Sequence, residues 1–208
     1  MQLSPGAFNA FLGGVGQDFQ WRRAAACPCI SPASGAATPN CPFCSGKGVT
    51  WAAEVPGKAA MQQQSPRKQF AMFGVFEPGD ATLTIPSNSV LYGAGQFDRF
   101  RALNSTNPFS SSMIRGDNDK LLGSIQSISR VFWIAGSAIV EGGIPTVGAD
   151  GALTWTTGEP PAGAAYSISG IKYDEFFVYL SLPSDRNAHA GAALPRKLLA
   201  RKFDLFGR

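Results

Sequence analysis

Apolar and polar residues alternate in short runs along most of the chain, and a two-residue period is typical of β-strands with one buried face. The clearest run is residues 17–23, in which Phe19 and Trp21 share a face. The same period recurs in residues 49–55, 68–85, 96–103, 127–136 and 138–183. Turn residues separate these runs: Asp150 and Gly151 predict a hairpin, and Gly170 predicts a further turn.

One short helix is predicted at the start of the chain. Ser4 is a favourable N-cap, and Pro5 is tolerated at the first helical position. The apolar residues that follow have helical spacing, and they are Phe8, Phe11, Leu12 and Val15. The glycines that end with Gly16 limit this helix to about three turns.

Two polar segments are predicted to connect strands. Residues 57–67 are interpreted as a polar connector, and residues 104–119, rich in Ser and Asn, as an exposed loop. Residues 194–208 fit either a strand from Lys197 to Phe203 or a short basic amphipathic helix. The strand is favoured because Pro195 and the glycines before it provide no helix cap.

These elements predict a mainly β protein: a β-sandwich or barrel-like domain with a short N-terminal helix and an inserted zinc-binding loop. The 24 Gly and 15 Pro among 208 residues fit many turns and short strands. Residues 1–16 are expected to form the helix, and residues 17–56 a strand, the cysteine loop and a second strand. Residues 57–208 are expected to form a β-rich domain with a basic C-terminal tail, all within one globular unit.

All four cysteines lie in the loop between the first two predicted strands, at Cys27, Cys29, Cys41 and Cys44. Short spacing lets one turn supply two thiolates, and the Cys41-Pro-Phe-Cys44-Ser-Gly segment resembles a zinc knuckle. We expect a structural Zn²⁺ bound by all four, because a Cys₄ shell leaves no position for a reactive water. Free or redox-active cysteines, and iron or another metal, are the alternatives.

Candidate catalytic groups are few. His189 is the only histidine and is expected to be a solvent-exposed bystander. The carboxylate pairs Asp117/Asp119 and Asp174/Glu175 are poorly suited to acid–base chemistry, since neighbouring strand residues face opposite sides. The sequence contains no Gly-x-Ser-x-Gly, P-loop or Gly-x-Gly-x-x-Gly motif. We therefore predict that the protein is not an enzyme.

The net charge is +4, and residues 186–208 carry six Lys or Arg against one acid. Such a basic end suits nucleic acid, an acidic protein neighbour or simply solvent. The low charged fraction, 15%, fits a surface that other subunits partly cover. The N-terminus does not read as a signal peptide and no apolar run would span a membrane, so we expect a reducing cytosol, where clustered cysteines are more often metal ligands.

The C-terminal third resembles proteins from the neck of tailed bacteriophages. These commonly carry a G-x-I/L-x-W…P-x-x-G-x-x-Y-S-x-x-Y hairpin, then a strand, an arginine loop and L-P-R-K. The matching residues are Gly151, Leu153, Trp155, Pro161, Gly163, Tyr166, Ser167, Arg186, Leu194, Pro195, Arg196 and Lys197. The cysteine loop is also similar to loops of such virion proteins, whereas Ile171-Lys172-Tyr173 shifts the second tyrosine of the pattern.

The resemblance implies a structural virion protein: a head–tail connector, collar or head-closure component that joins head to tail and lines or seals the DNA channel. It would form a homo-oligomeric ring, contact neighbouring portal, neck or tail proteins, touch packaged DNA without reading its sequence, and assemble in the host cytoplasm. A tail or baseplate component is one alternative. A zinc-containing nucleic-acid-binding module is the other.

Overall fold

The computed structural model describes residues 4–63, 79–117, 119–181, 188–189 and 191–206. The predicted strand around Phe70, Met72 and Phe76 lies outside these residues. So do the first half of the turn predicted at residues 77–80 and Arg186 of the arginine loop.

The described residues form one α-helix, α1 (Pro5–Val15), two 3₁₀ helices (Val90–Gly93 and Phe203–Leu205) and a series of β-strands. The strands are β1 (Gln17–Arg22), β2 (Ala24–Ala26), β3 (Val49–Trp51), β4 (Val55–Gln63), β5 (Ala81–Ile85), β6 (Arg99–Ile114), β7 (Ile125–Ala135), β8 (Ala138–Glu141), β9 (Thr146–Val147), β10 (Leu153–Thr154), β11 (Ala165–Ser181), β12 (Ala188–His189), β13 (Ala192–Ala193) and β14 (Arg196–Lys202).

Six strands close a barrel. In the order β1, β6, β11, β14, β5, β4 each strand is hydrogen-bonded to the next, and β4 pairs with β1 to complete the circle. The pairing of β11 with β14, in which Val178 lies opposite Ala200, is the long-range contact that closes it. The barrel confirms the predicted mainly β, barrel-like class.

Side chains from all six strands fill the barrel. Each strand contributes at least one residue with no exposed surface, and examples are Phe19, Ala59, Leu83, Phe100, Val178 and Leu198. Phe19 and Phe100 pack edge to face, with ring centroids 6.1 Å apart. The alternation that predicted β1 is thus the alternation of inward and outward side chains in a barrel strand.

The chain divides into two compact units. Unit 1 comprises Met1–Asn104 with Glu175–Arg208, and unit 2 comprises Ser105–Asp174. In unit 2, β7 pairs with β11 on one side and with β8 on the other, and β9 and β10 form a hairpin. The buried core of unit 2 is Met113, Leu121, Val131, Tyr166 and Ile168.

Helix α1 begins and ends as its sequence predicts. Ser4 is the N-cap, and its hydroxyl accepts a hydrogen bond from the Ala7 N–H at 3.4 Å. Leu12 is buried, and the Asn9 side chain exchanges two hydrogen bonds with Ser87, at 2.8 and 3.1 Å. These contacts attach one side of the helix to the rest of the protein. An isolated helix of 11 residues is only marginally stable in water, so α1 depends on such contacts.

The predicted polar connector is wrong for residues 57–63, which belong to β4. The strand pairs with β1 on one side and β5 on the other, so its backbone groups are satisfied by partners distant in sequence. Two of its inward positions carry small residues, Gly57 and the fully buried Ala59, and Met61 also packs against the barrel core. A Cβ on Gly57 would lie 2.6 Å from the Leu91 side chain, so glycine fits this position and the apolar alternation of the strand is weakened there.

The predicted loop at residues 104–119 is wrong for residues 104–114, because β6 continues to Ile114. Its polar side chains are used across the sheet: Ser105 and Asn107 both donate to the Asp174 carboxylate, each at 2.5 Å. This part of β6 has no apolar face, and side-chain hydrogen bonds to the neighbouring strand stabilise it instead.

The predicted turn at Gly170 is wrong as well, since this glycine lies within the 17-residue strand β11. The register against β7 shifts between Ser169 and Gly170. A Cβ at Gly170 would lie 2.1 Å from the Ser127 carbonyl oxygen, so glycine here permits a close approach of two backbones.

Several other elements were predicted correctly. Strands β1, β5 and β7, the hairpin around Asp150-Gly151 and the strand interpretation of the C-terminal segment are all confirmed. Lys197 falls within β14, which ends at Lys202, one residue earlier than predicted.

Candidate metal centre

The cysteine loop joins β1 to β4, two antiparallel neighbours in the barrel. Its base is a two-stranded ribbon in which β2 pairs with β3, Ala25 lying opposite Thr50. The ribbon continues into the cluster, because the Cys27 N–H donates to the Gly48 carbonyl at 2.8 Å. The loop is therefore an insertion between two barrel strands, but the predicted strand at residues 49–55 is divided: Val49–Trp51 is β3 of the ribbon, and the barrel strand β4 begins at Val55.

Each pair of cysteines lies in a tight turn. After Cys27, the Ile30 N–H donates back to the Cys27 carbonyl at 3.1 Å. After Cys41, the Ser45 N–H donates to the Cys41 carbonyl at 2.8 Å. The Thr38 hydroxyl donates to the Cys29 carbonyl at 3.2 Å and ties the first turn to the segment that precedes the second.

The return of the second turn requires left-handed backbone. Ser45 and Gly46 have φ of 49° and 78°, a region that glycine adopts without strain. A Cβ on Gly46 would also lie 2.8 Å from the Pro39 carbonyl oxygen. The left-handed backbone of Ser45 and Gly46 thus lets the chain turn back tightly after Cys44.

The four sulfur atoms lie within 4.8 Å of one another. Cys27 and Cys41 Sγ are 3.7 Å apart, and Cys29 and Cys44 Sγ are 3.4 Å apart. Four sulfurs placed tetrahedrally at a Zn–S distance of about 2.3 Å would be about 3.8 Å apart. The cysteines could therefore hold one metal ion, with Cys-x-Cys and Cys-x-x-Cys each contributing two ligands.

Hydrogen bonds and burial give the thiols different acidities. The backbone N–H groups of Cys44 and Phe43 lower the pKa of Cys41 to about 6. Burial raises the pKa of Cys29 to about 12. Backbone N–H groups thus favour the thiolate form of Cys41, whereas the buried Cys29 thiol needs a nearby cation before it ionises.

The cluster is the core of its own loop. Cys27, Cys41 and Cys44 are 2%, 6% and 4% exposed, and among the residues that the structure describes Cys29 is the one partly buried hydrophobic residue packed against them. A shallow cavity of about 410 Å³ lies beside the cysteines, and its other lining residues are Pro28, Thr38, Asn40, Pro42 and Phe43. Because the loop buries so little apolar surface, a metal ion held by the four thiols would add folding free energy that packing does not supply.

A buried carboxylate fixes the start of the loop to the barrel. Asp98, 2% exposed, accepts hydrogen bonds from Trp21 Nε1 at 2.8 Å, the Ala24 N–H at 2.7 Å and the Gly95 N–H at 2.9 Å. Trp21 is in β1 and Ala24 begins β2, so one side chain joins the barrel to the ribbon. An alternating sequence with a single Asp does not reveal this role.

An aromatic cluster holds the end of the loop. Trp51, in β3, packs edge to face on Phe203 and Phe206 at 5.4 and 5.5 Å between ring centroids. The Arg99 guanidinium lies 3.9 Å from the Phe203 ring centroid and forms an ion pair with Glu175 at 2.5 Å. The C-terminal residues thus pack beside the base of the cysteine loop within unit 1.

Three of the four carboxylates considered as acid–base candidates have structural partners. Asp174 accepts from β6 side chains, whereas Glu175 pairs with Arg99, so the two neighbours are used separately. Asp119 forms an ion pair with Arg115 and accepts from the Tyr166 hydroxyl at 2.6 Å. The backbone of His189 is in β12, opposite Ala192, and its side chain lies outside what the structure describes.

Comparison with known proteins adds no relative. No protein-family model matches the chain, and no curated protein matches it. Within the described ranges, no helix has the length and apolar character needed to cross a bilayer.

Proposed function

We propose that this protein is a structural component of a tailed-bacteriophage virion. It acts as a ring-forming connector, collar or head-closure protein that joins head to tail and lines or seals the DNA channel. The observation that carries the proposal is the set of residues, from Gly151 to Lys197, that match the pattern of phage neck proteins.

Three of the matching residues in unit 2 have packing or turn roles. Trp155 and Tyr166 meet edge to face at 5.9 Å between ring centroids; Tyr166 is in the buried core of that unit and the half-buried Trp155 packs against it. Gly151 has φ of 81°, and a Cβ there would lie 2.1 Å from the Leu121 carbonyl oxygen. A motif made of core and turn residues supports a shared fold with a structural role more readily than a shared active site.

The L-P-R-K segment leads into the strand that closes the barrel. Arg196 donates to the Tyr92 carbonyl at 2.7 Å and lies 5.7 Å from the Tyr92 ring centroid. The Tyr92 hydroxyl donates to the Leu194 carbonyl at 2.9 Å. These contacts attach the segment to the 3₁₀ helix, and they are again contacts that stabilise a fold.

We also propose that the metal is Zn²⁺ and that its role is structural. Four thiolates close a tetrahedral shell, and such a site supplies folding free energy to a loop with little apolar core. The residues that would hold the ion are Cys27, Cys29, Cys41 and Cys44. Elemental analysis of the purified protein should give about one zinc per chain, and a Cys41→Ser variant should lose it. A metal-free protein, or one that holds iron, would contradict the assignment.

The virion role is tested on particles. Immunogold labelling of purified phage should place the protein at the neck, and native mass spectrometry of the isolated protein should show one closed oligomer. Label at the tail tip would favour a tail or baseplate component. A protein absent from particles that binds DNA with a steep salt dependence would favour the nucleic-acid-binding module.

A further inference from the structure

Four cations lie close together at the base of the cysteine loop and form a basic cluster: Arg22, Arg23, Lys47 and Arg99. The Lys47 amine and the Arg99 guanidinium lie 5.3 and 3.9 Å from the centroid of the same ring, that of Phe203. Arg22 lies directly opposite Arg99 in the pairing of β1 with β6. On each strand an adjacent residue is buried in the barrel core, so the two arginine side chains point outward. Arg23 is the next residue along the chain and is exposed.

Three of these cations have no carboxylate partner among the described residues, and they are Arg22, Arg23 and Lys47. Arg99 pairs with Glu175 at 2.5 Å. Like charges directly opposite each other on neighbouring strands are destabilising, and Glu175 neutralises one arginine of the facing pair. Asp204 follows Phe203 and is exposed, but it forms no ion pair with a described side chain. The basic cluster therefore keeps a positive excess that a bound anion would offset.

Neighbouring groups hold the cluster in place before any ligand binds. The Arg22 Nε donates to the Ala52 carbonyl at 3.0 Å. Trp51 packs on Phe203, the ring that carries two of the cations, and its Nε1 donates to the Phe97 carbonyl at 3.0 Å. Phe97 itself has φ of 68°, a strained backbone for a bulky residue, which persists only where the surrounding structure fixes it. Cations that are already positioned lose less conformational entropy on binding.

The ligand that fits these groups is the phosphate backbone of a nucleic acid. Contacts of Lys and Arg with phosphates supply most of the affinity of non-specific nucleic-acid binding. Phe97 is 38% exposed and belongs to the same aromatic cluster through Phe206, at 5.8 Å between ring centroids. Aromatic rings beside cations are typical of surfaces that bind nucleic acid. The cores of protein interfaces, in contrast, are depleted in charge.

We propose that the basic cluster of Arg22, Arg23, Lys47 and Arg99 binds the phosphate backbone of a nucleic acid without reading its bases. The inference rests on the proposed function for the identity of that nucleic acid as packaged DNA, and it names the side chains that would contact it. Each phosphate contact contributes a slope of about 0.9 to the fall of log K with log salt concentration on duplex DNA. The three cations without a carboxylate partner therefore predict a slope of about −2.7.

The experiment measures binding of the full chain to labelled duplex oligonucleotides by fluorescence anisotropy. Lys47→Gln and Arg23→Gln each remove one cation of the cluster, and Lys197→Gln is the matched control. Lys197 is exposed in β14, on the opposite side of the six-stranded barrel from β1. Each test variant should bind about tenfold more weakly at about 50 mM salt and should reduce the slope by about 1, while the control binds as the wild type does.

Two checks separate lost charge from lost structure. Circular dichroism and zinc content should match the wild type in every variant. Lys47→Arg keeps the charge beside Phe203 and should keep the affinity. Loss of binding in this variant as well would show that packing, not charge, is responsible, and would overturn the assignment of Lys47 to the site.

Single-stranded oligonucleotides of the same length distinguish the two sources of the phosphates. Tighter binding of the single strand would assign the cluster to exposed strands, and tighter binding of the duplex would assign it to packaged DNA. A wild-type protein that binds neither at low salt would overturn the proposal. So would an equal loss in Lys197→Gln, or displacement of the DNA by poly-glutamate at equal charge concentration.

Failure of this site and failure of the virion role give different results. A protein that is labelled at the neck of the particle but does not bind oligonucleotides would overturn the basic cluster alone. A protein absent from particles, with binding that depends on Lys47 and Arg23, would overturn the virion role and leave the basic cluster standing.

Discussion

Replacing Asp98 should destabilise the barrel more than any surface carboxylate. The side chain is 2% exposed, and its two oxygens accept three N–H groups. Removing them in Asp98→Ala leaves donors from Trp21, Ala24 and Gly95 without an acceptor. At about 1–2 kcal/mol for each donor, the free energy of unfolding should fall by about 3–6 kcal/mol.

Asp98→Asn tests whether hydrogen bonding sets that magnitude. One carboxylate oxygen accepts from both Trp21 and Gly95, and the other accepts from Ala24. An amide can place its oxygen at the first position, but its NH₂ then faces the Ala24 N–H. The expected loss is about 2–3 kcal/mol, smaller than for alanine. Asp18→Asn is the control: its side chain is 50% exposed and 3.8 Å from Lys58, so its effect should stay within about 0.5 kcal/mol.

Urea denaturation followed by tryptophan fluorescence measures these differences. Trp133 and Trp155 are in unit 2, so a Trp133→Phe, Trp155→Phe background leaves Trp21 and Trp51 to report on unit 1. The Trp155 Nε1 atom is buried without a hydrogen-bond partner, so the Trp155→Phe substitution breaks no hydrogen bond. The expected loss of about 3–6 kcal/mol is a large part of a typical total stability of about 5–15 kcal/mol. An Asp98→Ala protein whose free energy of unfolding lies within about 1 kcal/mol of its background would therefore refute the reasoning.

Three further measurements test other parts of the structure. Removing metal with a chelator should increase amide hydrogen exchange in residues 27–48 while the circular dichroism of the barrel changes little, and equal exchange would contradict a structural ion. Arg201→Leu leaves the fully buried Asp80 carboxylate without its guanidinium partner at 3.0 Å, and thermal or urea unfolding should show a loss of about 3–5 kcal/mol, which a second change, Asp80→Asn, should partly restore. Burial tends to raise the pKa of Asp119, but hydrogen bonds from Tyr166, the Gly116 N–H and Arg115 outweigh it and hold the pKa below its usual range. A lowered folded pKa gives stability above about pH 4 that is lost as the pH falls further, so the acid unfolding curve should flatten in Asp119→Asn; an unchanged slope would exclude this contribution.

The sequence predicted those elements whose signals are local. Ser4 and Pro5 mark the start of α1, the alternation around Phe19 marks β1, and the spacing of the four cysteines marks the candidate site. Each rests on contacts within a few residues: a cap, a strand's two faces, or a turn that returns one thiol beside another. The structure brings all four sulfurs together, as their spacing indicates.

Strand β4 and the second half of β6 were missed because their stability comes from distant partners. Residues 57–63 are held by β1 and β5, and two of their inward positions, Gly57 and Ala59, are too small to give a strong apolar pattern. Ser105 and Asn107 carry polar side chains that Asp174 satisfies from another strand. Polar composition alone cannot separate such a strand from a loop, since the deciding hydrogen bonds are not encoded nearby.

By itself the sequence determined a mainly β protein, one short capped helix and a loop able to hold a metal through four thiols. Only the tertiary structure decided that β11 pairs with β14 to close a six-stranded barrel, and that Ser105–Asp174 forms a unit of its own. It also decided which charges are buried, with Asp98 at the start of the cysteine loop and Asp80 beside Arg201. The reason is the same throughout. Closure, burial and ion pairing each depend on residues far apart in the chain, whereas caps, strand faces and chelating turns depend on neighbours.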